Sequence, residues 1–122
     1  MELGPKEIII IFNSKDDAHK EAIAYAHILS EKVKQYDITQ THFSKRMLGD
    51  LARRLKVEII EMLDVDGPLF HSLRLRLDRL DNESALALIV DYPELLRSPI
   101  LLINNQTLFI KNKDDIMSLA LA

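Results

Sequence analysis

The residues best placed to do chemistry follow a strongly apolar run near the start of the chain, Ile8 to Phe12. Asp16 and His19 stand three residues apart, a spacing that places both on one face of a helix. A carboxylate in that position can orient an imidazole for general-base catalysis, and Ser14 is the only nucleophile close by. Lys111, much later in the chain, is a third candidate for an active site of this kind.

A structural role for Asp16 competes with the catalytic one, and we favour it. Aspartate is a good N-cap, because its carboxylate accepts backbone N–H groups at the start of a helix and suits the positive end of the helix dipole. Asn13 and Lys20 would then line the same turn without taking part in a reaction.

Arg74, Arg76 and Arg79 form the densest basic cluster in the sequence. These arginines are candidates for contact with a partner protein or an acidic surface. A solvated face is the default interpretation of such a cluster, because charged side chains are mostly exposed.

No metal site is expected from the spacing of the metal-binding residue types. His27, His42 and His71 share no ligand spacing. Glu58, Glu61 and Asp64 recur at three-residue steps, which predicts one acidic helix face. A solvated acidic face is a better interpretation of that pattern than a weak cation site.

Composition limits the class of protein. The chain has 122 residues, of which 48% are hydrophobic and 29% charged, a balance typical of one compact domain. The start of the chain does not resemble a signal peptide, and no run is long enough for a membrane span. The net charge of −3 does not favour direct binding to nucleic acid. Because the sequence contains no cysteine, we expect a cytoplasmic protein without disulfides or thiol chemistry.

The first third of the chain predicts a strand, a helix and a strand. Four consecutive isoleucines within residues 6–12 indicate a strand buried on both faces. A helix is expected from Asp16 or Asp17 to about Glu31, and residues 33–38 predict the second strand. The three elements together predict a right-handed parallel unit.

The middle of the chain predicts helices. Ser44 caps a helix that runs to about Leu55, a short helix follows around residues 59–63, and the pair at 67–68, Gly-Pro, interrupts the pattern. Residues 73–80 fit either an edge strand or a helix, and we favour a helix or irregular structure. Asp81 caps a clear helix that ends before Pro93.

The end of the chain returns to strands. Residues 100–103 and 107–111 predict a hairpin with a turn at residues 104–106, followed by a helix capped by Asn112 with Ile116, Met117, Leu119 and Ala120 on its apolar face. The resulting order is βαβ, a block of helices, then ββα. We therefore predict a single α/β domain, residues 1–122, with a mixed four-stranded sheet from residues 6–39 and 93–122 and a helical insertion at about 40–92.

This order, together with three local motifs, resembles the glutaredoxin-coupled arsenate reductase family, which has a thioredoxin-like fold and includes the Spx-type transcription regulators. The motifs are Tyr36-Asp37-Ile38, the capping residue Ser44, and the stretch from Tyr92 to Ile100 with its Arg-Ser-Pro-Ile ending. The resemblance extends from about Glu7 to Leu119.

The resemblance implies that the catalytic cysteine of the family falls on Asp16. A carboxylate cannot carry out thiol–disulfide chemistry. The negative charge of Asp16 would also repel an approaching oxyanion, by about 4 kcal/mol at a separation of about 4 Å and an effective dielectric of about 20. The arginines that hold the oxyanion in the family fall on Asp64, Ser98 and Lys111, although Arg97 stands one residue before Ser98. The Cys-x-x-Cys switch of the regulators falls on Asp16 and His19.

The resemblance also implies a cis peptide bond between Ser98 and Pro99, because the thioredoxin-like fold has a cis-proline before its third strand. Cis X–Pro bonds make up only about 5–6% of X–Pro bonds in folded proteins, so this expectation is specific.

Three functions remain open at this point. The first is a non-catalytic family member that serves as a binding or interaction module with a protein partner. The second is an Spx-like regulator that binds a transcription complex. The third is an enzyme with altered, non-thiol chemistry. Coupling to glutathione or glutaredoxin is not expected, and no cofactor is expected.

Overall fold

The computed structural model describes residues 3, 6–103, 106–111 and 115–116, and it divides the chain into two compact units. The sheet unit consists of residues 1–40 and 98–122, and the helical unit of residues 41–97. The sheet unit contains, in chain order, β1 Glu7–Phe12, α1 Ala18–Leu29, β2 Lys32–Asp37, β3 Ile100–Ile103 and β4 Gln106–Phe109.

Within the described residues, the sheet has four strands in the order β2-β1-β3-β4. β1 pairs in parallel with β2 and antiparallel with β3, and β3 pairs antiparallel with β4. The run of isoleucines explains the central position of β1, because Ile8 to Ile11 are buried on both faces of the sheet. The predicted α/β fold with a mixed four-stranded sheet is therefore confirmed.

The register of the sheet brings one end of each strand to a common edge. Phe12 pairs with Asp37, Ile11 with Ile100, and Ile100 with Phe109. The turn after β1, the residues after β2, those just before β3 and those after β4 therefore leave the sheet at the same edge. In α/β proteins this edge, at the carboxyl ends of the parallel strands, is where functional groups usually lie.

A hydrophobic cluster joins α1 to one face of the sheet. Its buried members come from β1, α1, β3 and the residues after β4: Ile8, Ile10, Ala22, Ala26, Leu101, Ile110 and Ile116. Burying one such isoleucine contributes about 1.5–3 kcal/mol relative to leaving it exposed. The cluster fixes α1 against β1 and so positions the turn that joins them.

The helical unit contains α2 Lys45–Leu55, α3 Pro68–Ser72 and α4 Asn82–Asp91, with 3-10 turns at Ile59–Met62, Leu77–Arg79 and Pro93–Leu95. The predicted caps are confirmed: Ser44 Oγ accepts a hydrogen bond from Met47 N at 3.1 Å, and Asp81 Oδ1 accepts one from Ser84 N at 2.8 Å. Residues 73–80 form irregular chain and a 3-10 turn, as we favoured, and no strand.

The interruption predicted at Gly67-Pro68 lies between the 3-10 turn at Ile59–Met62 and α3, and Pro68 begins α3, where its missing N–H would have no intrahelical acceptor. One prediction in the helical unit was wrong. Glu58, Glu61 and Asp64 do not share a helix face. Glu58 and Glu61 form a capping box around a 3-10 turn of four residues, and Asp64 lies beyond the end of that turn.

Several predicted boundaries in the sheet unit differ by one or two residues. α1 ends at Leu29 rather than Glu31, because Ser30 is extended and its hydroxyl donates to Lys6 O and accepts from Lys32 N. β2 accordingly begins at Lys32. Gln106 was predicted as part of a turn but belongs to β4, which ends at Phe109 instead of Lys111.

Some predictions fall outside the described residues. These are the turn at Asn104 and Asn105, the cap at Asn112, and the part of the last helix that contains Met117, Leu119 and Ala120. Asp115 and Ile116, which are described, are helical. No helix in the described part of the chain has the length and apolar character needed to cross a membrane.

Candidate functional site

The turn between β1 and α1 lies at the common edge of the sheet, and several of its backbone N–H groups have acceptors in the turn itself. Asp16 N donates to Asn13 O at 3.1 Å, and Lys15 N donates to the Asn13 side-chain Oδ1 at 2.9 Å. Asn13 therefore supplies two acceptors to the turn, as its short polar side chain allows. Its predicted place beside Asp16 agrees with this arrangement.

Asp16 uses both carboxylate oxygens inside the same turn. Oδ1 accepts a hydrogen bond from Ala18 N at 3.0 Å, and Oδ2 lies 3.4 Å from His19 Nε2. Ala18 is the first residue of α1, so Asp16 satisfies an N–H group that the helix leaves unpaired. Asp17 occupies the N-cap position but makes no side-chain cap hydrogen bond. Asp16 is therefore not the N-cap residue that we favoured, although its carboxylate binds the N–H group of the first residue of α1.

His19 is buried, with 8% of its surface exposed, and both ring nitrogens have partners in the turn. Nδ1 accepts a hydrogen bond from Asn13 N at 2.9 Å, so the nitrogen carries no proton in this arrangement. The proton of the neutral ring therefore lies on Nε2 and points towards Asp16 Oδ2. Neither nitrogen is left to accept a proton from a substrate while these two contacts last.

Asp37, at the end of β2, fastens the turn to the neighbouring strand. Its Oδ1 accepts hydrogen bonds from Thr39 N at 3.0 Å and from Ser14 N at 3.3 Å. Partial burial raises the pKa of Asp37, but the hydrogen bonds from Ser14 and Thr39 outweigh it and leave that pKa below the usual value. The hydroxyl of Ser14 lies 3.3 Å from that of Thr39, so Ser14 is bonded to Thr39.

Asp37 was predicted only as part of the motif Tyr36-Asp37-Ile38, without a role in the site, and no role was predicted for Thr39. A signal for Asp37 was present in the sequence. An aspartate at the carboxyl end of a strand next to β1 is placed to accept N–H groups from the turn at the same edge of the sheet.

The other predicted site residues of the sheet unit reach the same edge or lie close to it. The peptide bond between Ser98 and Pro99 is cis, which confirms the prediction, and Pro99 O accepts from Ile110 N at 2.9 Å. Lys111 follows β4, and its backbone N donates to Asp115 Oδ2 at 2.8 Å. Lys20 is exposed and pairs with Asp17 at 3.2 Å.

Asp64 and Arg97 belong to the helical unit. Asp64 N donates to Leu95 O at 2.8 Å, and Arg97 N donates to Met62 O at 2.7 Å. These bonds flank an antiparallel bridge between Leu63 and Leu96. Asp64 and Arg97 both line one cleft of this unit.

The arginine cluster is exposed, as the default interpretation of its sequence predicted. Arg76 pairs with Asp78 at 3.2 Å, and Arg79 lies in the 3-10 turn at Leu77–Arg79. Arg74 has φ 54°, a left-handed conformation that follows α3. Within the ranges that the structure covers, no three histidine, aspartate or glutamate side chains are grouped to hold a metal ion.

The site therefore consists of a closed turn in the sheet unit. Its N–H groups at Asn13, Ser14, Lys15, Asp16 and Ala18 all have acceptors inside the unit. A helix N-terminus with free N–H groups attracts anions. Here the carboxylates of Asp16 and Asp37 already occupy the position of such an anion.

Comparison with solved structures gives the same architecture. An arsenate reductase from Vibrio cholerae superposes with a TM-score of 0.81 at 20% sequence identity, covering 94% of this chain and 98% of that protein. An arsenate reductase-related protein from Brucella melitensis superposes with a TM-score of 0.72 at 16% identity, covering 96% and 97%. Likeness at these identities establishes the fold. A search of curated proteins found no match.

The family is shown by the sequence itself. The model of the ArsC family matches residues 12–119, which is most of the chain and includes the turn after β1, β2, the helical unit and the hairpin of β3 and β4. With the four-stranded mixed sheet and the cis bond before Pro99, this match agrees with the resemblance deduced from the motifs. The chain belongs to the ArsC family.

Proposed function

We propose that this chain is a non-catalytic member of the ArsC family that serves as a binding or interaction module for a protein partner. One observation carries the proposal: Asp16 stands where the resemblance places the nucleophilic cysteine, and its carboxylate binds Ala18 N and faces His19. Because the whole sequence lacks cysteine, no other residue can supply a thiolate. A cytoplasmic location is part of the same proposal. A chain without cysteine has no disulfide that would need an oxidising compartment.

The chemistry of the turn also weighs against an enzyme with non-thiol chemistry. A general base needs a ring nitrogen within reach of the proton that it removes. His19 is buried and uses Nδ1 for Asn13 N and Nε2 for Asp16. Ser14, the nearest hydroxyl, lies against Thr39. The contacts therefore support a structural role for these residues.

An arsenate reduction assay tests the proposal. The full chain is incubated with arsenate, glutathione and glutaredoxin, and the arsenite formed is measured. We expect no turnover above the blank, whereas a cysteine-containing arsenate reductase assayed in parallel gives clear turnover. Turnover by this chain that disappears in the variant Asp16→Ala would contradict the proposal, because it would assign a catalytic role to the carboxylate.

A further inference from the structure

The helical unit contains an open cleft with an apolar floor. This cleft is not part of the candidate site at the turn after β1. Its volume is about 510 Å³, and its apolar lining consists of Ile60, Leu63, Val65 and Leu77. Leu63 is buried, whereas Leu77 is 44% exposed, which is unusual for a large apolar side chain in a folded unit. The cleft therefore offers apolar surface that another molecule can cover.

The charged lining of this cleft is mostly acidic. Three carboxylates, those of Glu61, Asp64 and Asp66, stand beside the apolar floor, with the guanidinium of Arg97 as the cation of the lining. Arg76 and Asp78, on either side of Leu77 in the chain, pair with each other at 3.2 Å. The two residues directly next to Leu77 thus contribute no net charge, and three carboxylates against one guanidinium in the lining favour a cationic ligand.

Two of the three carboxylates, those of Asp64 and Glu61, are held in place before any partner binds. A Cβ atom added to Gly67 would lie 2.2 Å from Asp64 Oδ2, so the carboxylate of Asp64 rests directly against this glycine. Glu61 Oε2 accepts a hydrogen bond from Glu58 N at 2.6 Å. The two backbone bonds that join Asp64 to Leu95 and Arg97 to Met62 fix the walls. Groups that are fixed beforehand lose less entropy on binding.

A larger groove in the sheet unit does not give the same preference. Its volume is about 720 Å³, and the exposed Ile28 lies beside it, but its charged lining mixes Lys6, Lys32 and His27 with Glu31. That lining does not identify the charge of an occupant.

We propose that the cleft of the helical unit binds a segment of a partner protein that presents basic side chains next to apolar ones. The apolar side chains cover Leu77 and the floor, and the basic side chains meet the three carboxylates. Acidic peptides and nucleic acids are repelled by the same carboxylates. This inference rests on the proposed interaction role and adds the class of partner to it.

A titration followed by nuclear magnetic resonance tests the inference. The full chain, labelled with nitrogen-15, is titrated with a short synthetic peptide of alternating leucine and lysine, and in parallel with a peptide whose lysines are replaced by glutamates. We expect saturable amide shifts of residues 60–66, 77 and 97 with the lysine peptide alone, weakening as salt is added. Absence of saturable shifts there, or equal shifts with both peptides, would overturn the inference.

Two variants with the same change of charge provide the control. Asp66→Asn removes an exposed carboxylate of the cleft, whereas Asp91→Asn removes an exposed carboxylate at the end of α4, away from the lining. We expect the dissociation constant to rise about fivefold for Asp66→Asn and to stay unchanged for Asp91→Asn. Equal effects of the two variants would overturn the inference. The non-catalytic proposal is judged separately by arsenate turnover, so either can fail while the other stands.

Discussion

The carboxylates of two aspartates bind the backbone N–H groups of the turn after β1 and of the residues next to it. Asp16 accepts the N–H of Ala18 and faces the buried His19, and Asp37 accepts N–H groups from Ser14 and Thr39. Most of these bonds lie at the surface, where each contributes about 0.5–1.5 kcal/mol. These carboxylates therefore hold the backbone in place at this edge of the sheet, and this structural role takes the place of a catalytic one.

The lowered pKa of Asp37 predicts a dependence of stability on pH. Its carboxylate is favoured in the folded state, so its contribution is complete above its ordinary pKa of about 4 and is lost as the pH falls through the lower folded pKa. We expect Asp37→Asn to lower the free energy of unfolding by about 1 kcal/mol near pH 7 and to have a smaller effect near pH 3.

Urea denaturation of the full chain at several pH values measures this effect. Asp91→Asn is the matched control, because it removes an exposed carboxylate at the end of α4 and makes the same change of charge. A difference between Asp37→Asn and the parent chain that is constant from about pH 7 to about pH 3 would show that the charge of Asp37 is not what stabilises the turn.

At the scale of elements, the ends of the helices depend on single residues. α2 begins after the hydroxyl cap of Ser44 and ends at Leu55, and the next residue, Lys56, has left-handed φ and ψ of 59° and 42°. Lys56 N donates to Ala52 O and Arg53 O, and Val57 N also donates to Ala52 O. Such an ending usually contains glycine, because a Cβ atom in this conformation costs about 1–2 kcal/mol.

Replacement of Lys56 tests the cost of that ending. We expect Lys56→Gly to raise the free energy of unfolding by about 0.5–1 kcal/mol, since the relief of the Cβ clash exceeds the added flexibility of the unfolded chain. Lys56→Ala keeps the Cβ atom and is expected to give no such gain. Thermal or urea denaturation measures both variants, and an equal effect of the two would refute the explanation.

The elements that the sequence predicted well are those set by local pattern. The isoleucines of β1 and the caps Ser44 and Asp81 carry their signals within a few residues. The wrong boundaries depend on distant contacts, such as the bond from Ser30 to Lys6 that ends α1. In the candidate site, the pair of Asp16 and His19 followed from spacing. The clamp by Asp37 joins residues that are 23 positions apart in the chain, and the spacing of neighbouring residues does not indicate a contact of that kind.

At the scale of the whole molecule, the chain combines the sequence of an ArsC family member with a turn that lacks the nucleophile of that family. The sheet unit is made of two separate stretches of chain, and the helical unit is inserted between them at residues 41–97. Each unit keeps its own core and its own candidate surface: the closed turn in one and the acidic cleft in the other. The family fold is thus present in a chain without cysteine, and the loss of the family's thiol chemistry is part of the proposed function.

The central claim is that the turn after β1 is closed to anions, and an arsenate titration of the full, nitrogen-15-labelled chain tests it most directly. We expect no saturable shift of the amides of residues 13–20, because the N–H groups of residues 13–16 and 18–20 are already bound and Asp16 repels the ligand. Saturable shifts confined to these amides would contradict the account, since they would show that an oxyanion still binds at the turn.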